Sequence, residues 1–143
     1  MWTFEHTETT TATPRQLWAH YADPTRWPRW DHEVTAVTVD GPMATGTRGT
    51  LKPRRGPKSS FIFSDVDPEV CFTDVSRLPL ASLTFVHRIE PTETGCRFMH
   101  RVSISGPLSP LFARIIGRSL QAELPTAMRT LARLAESSYQ PVR

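Results

Sequence analysis

Two histidines, His87 and His100, are the side chains best suited to chemistry in this sequence. An imidazole of ordinary basicity can act as general base, general acid or hydrogen-bond donor near neutral pH. Their relation follows from pairing Leu80–Glu90 with Cys96–Ser105 as antiparallel strands, joined by Pro91-Thr92-Glu93-Thr94-Gly95. With Ile89 set against Phe98, Glu90 meets Arg97 as a favourable cross-strand charge pair. His87 then falls opposite His100. Phe85, His87 and Ile89 share a face with Phe98, His100 and Val102, whereas Arg88, Glu90, Arg97 and Arg101 occupy the other. A one-residue slip would destroy this segregation. The two rings are the candidate catalytic pair. The plain alternative is that they bond to each other, to water, or to Thr47 or Ser59 as satisfied core groups. No third ligand at zinc spacing accompanies them, so neither a metal nor another cofactor is expected.

Aromatic residues form the second candidate set. Trp27 and Trp30 each offer a large apolar body and one N–H donor, which suits the rim of a half-open cavity or a packed plug. Phe61, Phe63, Phe72, Phe85, Phe98, Phe112 and Ile115 are candidate ligand-binding wall residues, or simply core. The inward face of Ser59–Val66 is ambiguous, because Phe61/Phe63 and Ile62/Val66 are both apolar. Asp65 is an interior acid in the first case and a turn cap in the other. Other chemistries lack support. There is no G-x-S-x-G elbow and no phosphate-cradling glycine loop. Cys71 and Cys96 stand at no metal spacing and read as reduced thiols.

The elements that position these residues are legible from patterning and punctuation. Trp2–Thr10 alternates as a strand. Thr13-Pro14-Arg15-Gln16 has the form of a capping box with proline at the first helical position. Leu17, Trp18 and Tyr21 supply that helix's apolar stripe, and Asp23-Pro24 ends it and begins a second short turn carrying Trp27 and Trp30. Strands follow at Val34–Val39, Thr47–Leu51, Ser59–Val66 and Val70–Ser76, and then the long pair above. After Gly106-Pro107 the period changes. Leu111, Phe112, Ile115, Ile116, Leu120, Leu124, Met128, Leu131 and Leu134 recur at helical spacing to Glu136, giving a helix of about 26 residues and ~39 Å. Pro125 is expected to kink or split it.

Strands in unbroken succession with short turns require an antiparallel sheet, since parallel pairs need crossover helices. The expected class is α+β: a curved antiparallel seven-stranded sheet wrapped on one long C-terminal helix, with two short helices after the first strand. Sheet and helix should diverge at one end and leave a cavity, which Gly117 would enlarge. The 143 residues form one domain over 1–136, with a frayed tail over 137–143. Net charge is +3, and Lys52, Arg54, Arg55 and Lys58 form the one dense basic cluster, among Pro53, Gly56 and Pro57. Without a recognition motif it reads as a solvated loop, so no nucleic-acid partner is expected. No transmembrane stretch or signal peptide is read, which makes the cytoplasm the expected location and a monomer or homodimer the expected state.

The run Leu17–Asp31, with its Trp18, Ala22-Asp23-Pro24, Arg26-Trp27-Pro28 and Trp30 pattern, resembles polyketide cyclase/dehydrase-like members of the START/SRPBCC superfamily. Gly46-Thr47-Arg48-Gly49, Phe63–Pro68, His87-Arg88-Ile89-Glu90-Pro91, and His100-Arg101-Val102 before Gly106-Pro107 extend the resemblance over nearly the whole chain. It implies the helix-grip fold of the major birch-pollen allergen. It implies function only broadly, because the superfamily spans cyclases, aromatases, lipid carriers, hormone receptors and chaperone activators. The expected activity is binding of a hydrophobic small molecule between sheet and helix. The alternatives are aldol cyclisation and dehydration of a polyketide-like substrate, with His87 or His100 as base, and a protein-interaction role of the chaperone-activator or quinone-chaperone kind.

Overall fold

The computed structural model describes residues 1–137. Its strands are β1 (Trp2–Thr10), β2 (Val34–Val39), β3 (Arg48–Pro53), β4 (Ser59–Asp67), β5 (Cys71–Leu78), β6 (Ala81–Thr92) and β7 (Gly95–Ser105). Helix α1 spans Pro14–Tyr21, a 3₁₀ helix spans Pro24–Arg29, and α2 spans Ser109–Ser137. The seven strands form one antiparallel sheet in the order β1-β7-β6-β5-β4-β3-β2. This is the expected α+β helix-grip architecture. Apart from Ser137, the tail over 137–143 lies outside the described residues.

Local chemistry explains the ends of the elements. The Thr13 hydroxyl accepts from the Gln16 N–H at 3.1 Å, and the Gln16 side-chain oxygen accepts from the Thr13 N–H at 2.8 Å. Such a reciprocal cap stabilises a short helix by about 1 kcal/mol. The β6–β7 register places Ile89 against Phe98, Glu90 against Arg97 and His87 against His100, as the charge segregation requires. The connecting loop is tighter than the sequence implies, because Thr92 already pairs with Gly95.

The ambiguity in β4 has a structural answer. A register shift between Phe63 and Asp65 inserts one extra residue. Phe61 and Phe63 face inward before this bulge, and Val66, opposite Phe72, faces inward after it. Asp65 is exposed. Gly49 of β3 also belongs to this packing. A Cβ there would lie 2.7 Å from Cζ of Phe61 and would overlap the Thr38 carbonyl oxygen, so glycine lets the Phe61 ring lie across the strand.

Two expectations about α2 are corrected, that for Pro125 only as to a split. The helix runs unbroken through Pro125 for 29 residues and is not split there. An interior proline costs roughly 3 kcal/mol. Burial of Leu124, Met128 and Leu131 on either side contributes about 1.5–3 kcal/mol each, which outweighs that cost. Gly117 lines a surface groove beside Trp2 and does not open space between sheet and helix. The Trp2 indole fills the space, with carbons 3.2 Å from where a Cβ would stand.

Helix α2 packs on β1, β7 and α1. Its second half is sealed, with Leu124, Ala127, Met128, Leu131, Ala132 and Ala135 all buried. Its first half is not, since Phe112, Ile116 and Leu120 stay half-buried. The concave face is mixed at that end, where Val102 and Ile104 are fully buried. Ile89, Cys96 and Phe98 are buried, whereas Phe4, Leu51, Leu83 and Phe85 remain half-buried.

Candidate functional site

His87 and His100 meet on the concave face, their ring centroids 4.5 Å apart and their planes at 72°. His87 is sandwiched between Phe72, at 3.8 Å and 7°, and Phe85, at 4.7 Å and 12°. This follows from the pleat: Phe72 is the cross-strand partner of His87, and Phe85 precedes it by two on the same face. His87 Nδ1 donates to the Phe72 carbonyl at 3.3 Å, leaving Nε2 as an acceptor with no partner among the described residues. His100 Nε2 shares a 2.6 Å hydrogen bond with the Tyr21 hydroxyl. His100 Nδ1 is buried without a partner, and so is Trp30 Nε1. The Trp30 ring lies 6.0 Å from that of His100 and 5.9 Å from that of Tyr21.

Asp74 completes the polar group. It faces inward opposite Phe85, with one carboxyl oxygen 4.0 Å from His87 Nδ1. This separation is too long for a hydrogen bond. Burial decides the charge of every member. It pushes Asp74 up to about 8 and His87 down to about 3, the Phe72 carbonyl opposing the latter only partly. It also drives His100 well below the usual histidine range, with the proximity of His87 and His6 adding to the effect. The Tyr21 hydroxyl is raised by the same desolvation. A carboxyl raised and an imidazole lowered are the reverse of what an ion pair would produce. Asp74 and His87 are therefore both neutral at pH 7.

The structure brings most of the sequence candidates together. Trp27 stacks on Phe72 at 5.8 Å and on Phe61 at 6.3 Å, and its indole N–H donates to the Tyr21 carbonyl at 3.0 Å. Phe63 meets Phe61, Trp27 and Phe72 edge-on. Phe98 packs 5.9 Å from His100. Phe85 is half-buried at the side of the cluster. Phe112 lies on the half-buried stretch of α2, at the unsealed end. Ile115 is a correction: it is 63% exposed and lies on the outer flank of α2, because helical spacing places it beside Arg114 and Arg118 and away from the sheet.

The expectation of a roomy interior is also corrected in part. Under α1 and the 3₁₀ helix, the concave face is filled by Tyr21, Phe63, Phe72, Phe98 and His100, all fully buried. Surface grooves lie elsewhere. One of about 690 Å³ runs between Trp2 and the outer flank of α2, and one of about 420 Å³ lies on the convex face near Ile62, Val75 and Leu78. Neither contains the histidine pair. The described residues hold no cluster of three or more His, Cys, Asp or Glu able to bind a metal.

Sequence reading missed Tyr21 and Asp74. Tyr21 was legible as part of an apolar stripe, and a buried phenol needs a partner for its hydroxyl. Asp74 shares strand parity with Phe72, which is the signal that places a carboxyl indoors.

Comparison with known proteins agrees with this geometry. A family model described as polyketide cyclase / dehydrase and lipid transport matches residues 1–136. An uncharacterised protein of Mycobacterium tuberculosis is 26% identical over 144 residues, covering 95% of this chain and 86% of its own length. A protein of Mesorhizobium loti superposes with a TM-score of 0.77 at 18% identity, covering 97% of this chain and 100% of that one. The di-domain ARO/CYC of the steffimycin biosynthetic pathway superposes with a TM-score of 0.77 at 14% identity, over 94% of this chain and 50% of that one. At such identities the two structures speak for the fold alone. No helix of the described residues is long and apolar enough to cross a membrane. With its fold and nearly its whole length matched, the chain belongs to the polyketide cyclase/dehydrase and lipid transport family.

Proposed function

We propose that the protein binds an apolar small molecule carrying at least one hydrogen-bonding atom, held against the concave face at the end covered by the first half of α2. One observation carries this reading: His100 Nδ1 and Trp30 Nε1 are both buried and unpaired inside an aromatic cluster. Each such group costs about 1–3 kcal/mol in an apo protein. A ligand supplying the missing partners would recover that cost. The half-buried Phe85, whose ring lies 5.9 Å from that of His100, supplies apolar surface beside these groups, and Phe4, Leu51, Leu83, Phe112 and Ile116 are further half-buried apolar residues of the sheet and of α2.

Binding ranks above catalysis for a physical reason. A general base works best with a pKa near the operating pH. His87, lowered to about 3, is a feeble base at neutral pH, and His100 is shifted in the same direction. As neutral rings they are suited to accept or donate hydrogen bonds.

Native mass spectrometry of the purified protein, with calorimetric titration of fatty acids, sterols, quinones and polycyclic ketones, tests the reading. A bound apolar mass, or a micromolar or tighter dissociation constant for one class, is expected. Absence of binding across the panel would remove the proposal. The catalytic alternative has its own measurement, the cyclisation rate of a poly-β-ketone thioester in His87→Gln and His100→Gln. Loss of rate in either variant would reverse the ranking.

A further inference from the structure

Asp74 has no structural use for its carboxyl. It is 7% exposed and lies between Phe63 of β4 and Phe85 of β6 on the concave face. No Lys or Arg of the described residues forms an ion pair with it. Its one titratable neighbour, His87 at 4.0 Å, has its Nδ1 proton directed to the Phe72 carbonyl. An ionised carboxylate in such a place would have little hydration and no cationic counter-charge, which favours keeping the proton on. The residue thus presents an unused O–H donor on the concave face that also carries His100, against whose ring Trp30 packs at 6.0 Å. Three neutral polar groups and no cation meet whatever enters.

We propose that Asp74 sets the charge class of the ligand, donating its carboxyl proton in a hydrogen bond to a carbonyl oxygen of an uncharged molecule and excluding carboxylates. This rests on the binding reading above and adds a specificity to it. A carboxylate entering the site would lose its hydration and meet no cation. An ammonium could be paired only by ionising Asp74, which would bury two charges among phenyl rings. A ketone needs only the donor already present.

One ring skeleton in three charge states makes the test. Calorimetry at neutral pH compares 2-acetylnaphthalene, 2-naphthoate and 2-naphthylmethylammonium, with naphthalene as reference. The ketone is expected to bind at least about tenfold more tightly than either ion. Asp74→Leu is expected to lower ketone affinity to that of naphthalene, and Asp74→Asn, which keeps a donor there, to recover most of it. The infrared carbonyl band of 2-acetylnaphthalene bound to the wild-type protein reads the hydrogen bond directly, whether or not the leucine variant folds, and should move to lower wavenumber. A carboxylate or ammonium binding as tightly as the ketone overturns the selection, and so does an unshifted band. Naphthalene and ketone binding equally overturns the selection and leaves the binding reading standing. No binding by any of the four overturns both.

Discussion

Among the described residues, the hydroxyl of Tyr21 is the one group that satisfies His100, at 2.6 Å and with no surface exposure at either residue. Tyr21→Phe keeps the ring contacts with Phe72, Trp30 and His87 and removes a single oxygen. His100 is then left with neither nitrogen paired. The expected cost is about 1–3 kcal/mol in urea unfolding, with an unchanged dependence on denaturant. A loss well under 1 kcal/mol would show that His100 finds a substitute partner. The meeting of His87 with His100 was legible because strand parity and the Glu90–Arg97 pair leave one sensible register. Their partners were not. Thr47 and Ser59 were reasonable on composition, yet the partners are the Phe72 carbonyl and a phenol 79 residues away in sequence. The docking angle of α1 sets that contact, and no local spacing encodes it.

At the level of elements, two substitutions separate local preference from packing. Gly49→Ala would drive a Cβ into the Thr38 carbonyl and the Phe61 ring. Backbone cannot retreat as a flexible side chain can, so β3 must shift and carry Phe61 away from Trp27. A loss of about 1–3 kcal/mol is expected. It should come with a change in near-ultraviolet circular dichroism from Trp27; an unchanged spectrum would mean that the ring is not held by this strand. Pro125→Ala acts the other way, restoring an N–H to the middle of α2. Stability should rise by about 1–3 kcal/mol, the larger part of the proline penalty, and a lower melting temperature would show that the ring packs better than it disrupts. Proline chemistry was plain in the sequence, but the burial that overrides it depends on β1, β7 and α1 enclosing that half of the helix. The β4 bulge was hidden for a similar reason: two apolar sets of opposite parity look contradictory until one extra residue turns Val66 inward after Phe61 and Phe63 and leaves Ile62 on the convex face.

For the molecule as a whole, strand succession and one long amphipathic helix made the grip architecture legible, and element order alone could not say how far aromatic side chains would fill it. That filling makes stability a function of buried protons. Folded Asp74 titrates near 8, against roughly 3.9 for an unfolded aspartate. Between those values the native state holds the extra proton, so stability falls as pH rises and levels off once Asp74 has ionised in both states. His87, lowered to about 3, has the opposite sign, because the unfolded chain binds the extra proton between its folded value and about 6.5. Stability therefore rises through that lower range, with His100 acting in the same direction. Asp31, pushed up to about 6 by burial, adds to the Asp74 trend but has ionised by about pH 7. From about pH 7 to about pH 8.5 the Asp74 contribution is the largest, with a slope of at most ~1.4 kcal/mol per pH unit and a total on the order of 1–2 kcal/mol, while Cys71 and Cys96, both raised by burial, add to the decline as unfolded thiols begin to ionise. Urea unfolding across that interval should show a steeper decline in the wild-type protein than in Asp74→Asn, in which the thiols alone remain. Parallel profiles for the two proteins would mean that the carboxyl reaches water and is already ionised at neutral pH, and the charge selection assigned to it would fall with that result.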